Sequence, residues 1–404
     1  MIIKLLFIVS LFFLYFLMKT RGEEFQYFLL TVIVLSIRVL DVAGLGDITP
    51  ATVMVGAMFL GTSSKLDIFK KENLPFIFTL TLAVIIGCIT VDFDIARMIK
   101  WSLLLFNVLV LSSLTQLYIT SLSKFRVFTW CLIATCLVFS GTTLIGYLGL
   151  GDGTVIYNSD LSYLKDGDAL HASRTYGITS SNLVQIISVI SICLIPTLGI
   201  RKKIYEYLII GVFVLGALVT LKRMSFIAMV LSLGYYLWIQ YKGHNYKAIW
   251  IVATLSAIMI GIWWDAFVHR FLLTGMGSDR PIEDHSTQSR FDRIGYAIEA
   301  FRKSPLFGMG SGYVTYVHNG FFEILGNCGI IGVITIFFKF IPGIKDILRG
   351  NPWAVATILY VVTCFSLESA INHAQIIYFL GFFLGGYHVS KEYNNSLCIE
   401  HEQA

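Results

Sequence analysis

Residues 286–332 read STQSRFDRIGYAIEAFRKSPLFGMGSGYVTYVHNGFFEILGNCGIIG. The stretch opens in the one long polar segment of a very apolar chain and closes inside a hydrophobic run. It holds Arg290 and Arg293, a turn at Pro305, glycines from Gly308 to Gly312, and His318-Asn319 at the mouth of the next apolar helix. Its first part is helical by pattern. Phe291, Ile294, Ile298 and Phe301 fall on one face, with Arg290, Arg293, Glu299 and Arg302 off it. Ser304-Pro305 ends that pattern, because proline cannot continue the backbone ladder and restricts its predecessor. A short amphipathic helix near 290–303 is therefore expected over the ends of the hydrophobic runs, which themselves decide the fold.

Working outward, the chain has 404 residues, of which 56% are hydrophobic and 14% charged. Soluble domains carry roughly one quarter charged residues. Repeated apolar runs of about 17–22 residues mark a helical membrane protein, and the short alternating strands of a membrane barrel are missing. The expected fold is an all-α integral membrane protein, a single polytopic domain over 1–404 with about 12–13 transmembrane helices. Spans are expected at 2–18, 25–43, 48–64, 74–91, 98–120, 127–148, 179–199, 204–221, 224–241, 246–264, 320–341, 353–371 and 373–389. The run at 48–64 is short and contains glycine, so it reads either as a span or as a re-entrant piece. The first run lacks a small-residue cleavage site and reads as a retained span. The net charge of +5 sits in short loops, which speaks for topology rather than nucleic-acid binding. Of the seven cysteines, none lies in the long loop, so neither a disulfide framework nor a cysteine metal site is expected.

Basic residues at Arg201-Lys202-Lys203, Lys242 and Lys247, Lys345 and Arg349, and Lys391 are placed in the cytoplasm by the positive-inside rule, with the C-terminus. Counting spans then places 149–178 and 265–319 outside. The second outer loop balances its charges and is expected to hold structure. Arg97 and Lys100 fall outside, against the rule, beside Asp92 and Asp94.

Several polar residues gather at the outer ends of spans. Arg223, adjoined by Lys222, begins an apolar run; it reads either as an arginine snorkelling to headgroups or as a ligand for an anion, for which its rigid fork suits phosphate. Arg174 ends the first outer loop, where a salt bridge to Asp166 or Asp168 is the alternative. Asn182 lies in the first turns of a span, where an amide needs a partner. Asn319 and Glu323, four apart, share a helix face just after His318. Gly326, Gly329 and Gly332 read as a surface for close helix packing. The histidines at 269, 285 and 318 lack ligand spacing, so no metal is expected.

The order of these pieces resembles the O-antigen ligase and O-antigen polymerase family of bacterial cell-surface polysaccharide assembly. The pieces are Arg174-x-x-Gly177 followed by Asn182, the helix start at Arg223, Ser289-Arg290, Ser304-Pro305-Leu306-Phe307-Gly308-x-Gly310-x-Gly312, and His318-Asn319 with Gly326-x-x-Gly329-x-x-Gly332. The likeness is most specific over 289–332. At 222–224 the chain has Lys-Arg-Met, where the family has Ser-Arg and a small residue.

The resemblance implies a metal-independent, cofactor-free membrane glycosyltransferase in the bacterial inner membrane, with its active site on the outer face. Its donor would be an undecaprenyl-diphosphate-linked glycan. Its acceptor would be another lipid-linked repeat for a polymerase, the reading favoured here, or lipid A-core for a ligase. Membrane lipids and a chain-length regulator are the further partners implied. His318, Arg223 and Arg174 are the expected catalytic residues; Arg290, Asn319, Glu323, Asn182 and Lys222 are the expected substrate-binding ones. From another class, a lipid-linked glycan transporter would show paired repeats and broken helices near the midplane; no repeat is visible, and the polar residues gather at one face.

Overall fold

The computed structural model describes residues 2–35, 41–42, 46–47, 50–90, 95–147, 181–219, 223–262, 285–315, 317, 319–365 and 374–402. Among the described residues the fold is all-α apart from one minimal ladder. The helices are α1 (Ile2–Thr20), α2 (Glu24–Val34), α3 (Pro50–Thr62), α4 (Leu74–Ile89), α5 (Ile95–Tyr118), α6 (Leu122–Tyr147) and α7 (Ser181–Ile190). They continue with α8 (Lys203–Val219), α9 (Arg223–Lys242), α10 (Tyr246–Ile262), α11 (His285–Lys303), α12 (Gly320–Phe340), α13 (Ile344–Leu348), α14 (Pro352–Tyr360) and α15 (Ala374–Glu402). Between α2 and α3, β1 (Asp41–Val42) pairs antiparallel with β2 (Gly46–Asp47). Among the described residues, four stretches are long and apolar enough to cross a membrane: Arg97–Tyr118, Leu122–Ile145, Met224–Lys242 and Gly320–Phe340.

Several other apolar runs become shorter or irregular helices. The run expected at 25–43 holds the helix Glu24–Val34, and the one at 48–64 the 13-residue α3. The run at 179–199 changes from α to 3-10 helix over Ser191–Leu198, around Pro196, which cannot donate to an α ladder. The run at 353–371 starts with Asn351 accepting from the backbone N–H groups of Trp353 and Ala354, and Pro352 at the first helical position. It loosens to a π turn over Val361–Phe365. The last helix runs on to Glu402, beyond the span expected at 373–389.

The chain divides into two compact units, 1–131 with 289–404, and 132–288. In the first, α15 lies along α5. A Cβ on Gly385 would come within 2.4 Å of Thr115 Cβ, so only glycine permits this approach. Phe28, Phe128, Phe382 and Trp353 pack their rings beside this contact. Tyr378, fully buried where lipid offers no partner, finds two in the bundle: it donates to Thr52 Oγ1 at 2.8 Å and accepts from Asn107 at 3.3 Å.

The second unit packs the rest of α6 with α7–α10. Gln185 of α7 donates to Thr143 Oγ1 at 2.7 Å and accepts from Ser140 Oγ at 3.0 Å. Glu206 of α8, 2% exposed, accepts from the Tyr236 hydroxyl of α9 at 3.0 Å and pairs with Lys203 at 2.7 Å.

Candidate active site

The segment 304–315 after α11 is bound to the first unit by its backbone. Its anchor is a break in α12. Gly329 has φ +63° and ψ −162°, which interrupts the helix within an apolar run. The groups freed there are taken up by the turn after α11. Ile330 N–H donates to Pro305 O at 2.9 Å, and Ile331 N–H to Leu306 O at 3.3 Å. In return Met309 N–H donates to Gly326 O at 2.9 Å, and Gly310 N–H to Asn327 O at 3.0 Å. The two backbones lie so close that a Cβ on Gly329 would stand 2.4 Å from the Leu306 carbonyl carbon, and one on Gly308 2.3 Å from that of Asn327. Gly329 thus serves a positive φ and a loop contact, which corrects its reading as a helix-packing glycine. Gly326 likewise faces Val314 of the loop.

Side chains complete the attachment. The Asn327 amide, fully buried, donates to Val314 O at 2.8 Å and accepts from Val314 N–H at 2.8 Å, as a neighbouring strand would. Ser311 N–H donates to Ala83 O of α4 at 2.8 Å, and Ser311 Oγ to Met98 O of α5 at 3.1 Å. Thr90 Oγ1 donates to Met309 O at 3.1 Å.

Above this lies α11. Its inward face is Ala297 and Ala300, packed with Val314, Val317, Ile294, Met309, Tyr313 and Phe322. The expected face was centred on larger side chains. Phe291 instead is 64% exposed, because the loop approaches α11 closely enough to select alanines. Tyr296 stacks on Tyr313, with ring centroids 5.8 Å apart.

The attached segment leads into the start of α12. Asn319 is its N-cap, and its side chain accepts from Phe322 N–H at 3.1 Å. Glu323 follows in the first turn and is 0% exposed. There the positive helix end favours its negative charge. Its Oε1 accepts from Trp101 Nε1 of α5 at 3.0 Å. A carboxylate withdrawn from water is costly unless donors meet it, so this pair marks a specialised point in the bundle.

Of the residues singled out from sequence, the structure therefore describes Asn319 and Glu323 fully and brings them together at one helix start. Asn319 caps the helix, and Glu323 is enclosed. Arg223 is the first residue of α9, Asn182 the second of α7, and Arg290 lies early in α11; their side chains fall outside the described part. Arg174, Lys222 and His318 lie outside the described residues, as do 149–178, expected as the first outer loop, and 265–284 of the expected second. Sequence reasoning missed Trp101 and Asn327. Asn327 carried a signal, an amide within an apolar run that must find a partner. Trp101 carried none beyond a large ring in a span. Among the described residues, no three His, Cys, Asp or Glu side chains come together as a metal site would require.

An all-α bundle with membrane-length apolar helices, holding a buried carboxylate and a capping amide where a span begins, defines a polytopic membrane protein with a polar site at a span's end. The family model described as O-Antigen ligase matches residues 207–337, about a third of the 404-residue chain. The match supports the O-antigen ligase/polymerase family, to which the sequence motifs pointed. It takes in Lys222, Arg223, Arg290, His318, Asn319 and Glu323, and leaves out Arg174 and Asn182. No curated protein matches the chain.

Proposed function

We propose that the protein is a glycosyltransferase of the bacterial inner membrane, working at its outer face on an undecaprenyl-diphosphate-linked glycan. The observation that carries this reading is the family match over 207–337, which includes both the helix start at Arg223 and the enclosed Glu323 at the start of α12. An acceptor sugar hydroxyl attacks the anomeric carbon of the donor. The new glycosidic C–O bond forms as the C–O bond to the diphosphate breaks, and the lipid diphosphate leaves with the electron pair. The hydroxyl proton passes to His318, whose ordinary pKa near 6.5 suits a base at neutral pH. Arg174 and Arg223 hold the diphosphate and its developing charge, as guanidinium forks do well. Lys222 and Arg290 add positive charge for the donor, and Asn182 and Asn319 serve the sugars. Glu323 orients the base.

The acceptor is taken to be another lipid-linked repeat, which makes the protein a polymerase, with a chain-length regulator as a further partner. A ligase acting on lipid A-core is the second reading, favoured by the description of the matching family. The glycan of a deletion strain separates them. A single repeat left on the core means polymerase; loss of all core-attached glycan, with polymer still on the carrier, means ligase.

The chemistry is tested with purified enzyme and lipid-linked repeats. His318→Ala and His318→Gln should each lower transfer by about 10²–10⁴, the usual contribution of a general base, while donor binding persists. Near-normal transfer by the Gln variant would remove His318 from the role of base.

A further inference from the structure

Trp101 lies on α5, a helix given no part in the chemistry above. Its side chain is 1% exposed, and its Nε1–H donates to Glu323 Oε1 at 3.0 Å. An indole has one donor and no acceptor, so this bond takes its whole polar capacity. The positive end of α12 and the indole both act on the Glu323 carboxylate. They do different things. The helix end favours negative charge however the carboxylate turns. The indole selects one oxygen and so sets the direction of the other. The indole is therefore the group to alter.

We propose that Trp101 is a positioning residue for glycan transfer: its indole N–H fixes the orientation of the Glu323 carboxylate, on which the supporting role of Glu323 in transfer depends. This rests on the assignment of His318 made above. The loop attachment gives the arrangement its rigidity. Ser311 is bonded to Met98 O, less than one turn before Trp101, and Asn327 lies one turn after Glu323 on α12 and is bonded to Val314. The donor and acceptor of the bond thus sit on two helices tied to one loop.

The test is a double-mutant cycle in the purified, reconstituted enzyme. Trp101→Phe, Glu323→Gln and the double variant are compared with the wild type in kcat, in KM for the lipid-linked donor, and in thermal melting. Trp101→Phe should lower kcat by on the order of 10- to 100-fold, the usual size of a hydrogen bond to a charged group. Donor KM should stay unchanged. The double variant should be no slower than Glu323→Gln alone, since Trp101 acts through the carboxylate that Glu323→Gln has already replaced. Losses that multiply in the double variant would overturn the proposal, as would an unchanged kcat in Trp101→Phe. If Trp101→Phe fails to accumulate, 3-benzothienylalanine at position 101 keeps the bicyclic shape and lacks only the N–H; full activity there would overturn the proposal too. The His318→Gln variant runs alongside. Its near-normal transfer would sink the base assignment, whereas a multiplicative cycle with His318→Gln inactive would sink only the role of Trp101.

Discussion

Two buried glutamates invite comparison. Glu206 in the second unit and Glu323 in the first each stand fourth in a helix, at 2% and 0% exposure. Each accepts from an aromatic donor on a neighbouring helix at 3.0 Å, Tyr236 for one and Trp101 for the other. The local device is the same: a carboxylate in the positive first turn of a helix, out of water, with an aromatic donor. The surroundings differ. Glu206 has Lys203 of its own helix at 2.7 Å, beside the basic cluster that the charge rule assigns to the cytoplasm. Glu323 follows the cap at Asn319 and a loop bound to three helices. The same fold element thus closes a structural ion pair in one place and, on the proposed function, supports a base in the other.

The largest expected effect breaks the Glu323 side at its foundation. Gly329→Ala would bring a Cβ within 2.4 Å of Leu306 backbone, at a φ of +63° that L residues adopt at a cost. Backbone on both sides cannot yield, so the protein should accumulate poorly and lose transfer with it. Gly216→Ala is the counterpart in the second unit. There the new Cβ meets Gln185 Oε1 at 2.8 Å, the end of a side chain that can turn. A loss of only about 1 kcal/mol is expected, the ordinary scale of a single substitution. Membrane accumulation and melting in detergent compare the two. Equal tolerance would show that the loop is not held at the helix break.

The next pair separates the two acids. Glu206→Gln removes the ion pair and should lower stability by about 1–2 kcal/mol, while transfer per folded molecule stays normal. Glu323→Gln should do the reverse. The amide keeps the shape and an acceptor for Trp101, so the protein should accumulate, yet transfer should fall by roughly 10- to 100-fold. Should Glu206→Gln instead lose transfer at full stability, the division between structural and functional acid would be wrong.

The sequence made the helical membrane fold legible because apolar runs in lipid have one economical answer, a helix. It also marked the start of α12, since histidine, asparagine and glutamate rarely gather at a span's mouth. The break at Gly329 was not legible. A glycine repeat at 326, 329 and 332 supports either packing or a kink, and only the returning loop, with Pro305 O and Leu306 O placed to accept, decides between them. Broken helices also suit transporters, but here the freed backbone groups named above bond to protein. Trp101 was hidden for a simpler reason. Its partner is 222 residues away in sequence, and a tryptophan in an apolar run looks the same whether or not its N–H has work to do.

The smallest expected effect concerns α11, which covers the loop on the Glu323 side. By hydrophobic pattern Phe291 belongs to the inward face; in the structure it is 64% exposed while Ala297 is 0% exposed. Phe291→Ser should therefore change stability by no more than about 0.5 kcal/mol, as surface substitutions usually do. Ala297→Leu, which by composition only enlarges an apolar side chain, should cost about 1–3 kcal/mol because it enters a packed contact with Val314 and Val317. It should also slow transfer, since those residues lead directly to the cap at Asn319. Melting curves and transfer rates of the two variants check this. A stable, active Ala297→Leu with a damaged Phe291→Ser would return Phe291 to the inward face and detach the loop from α11, leaving the helix break at Gly329 as its remaining support.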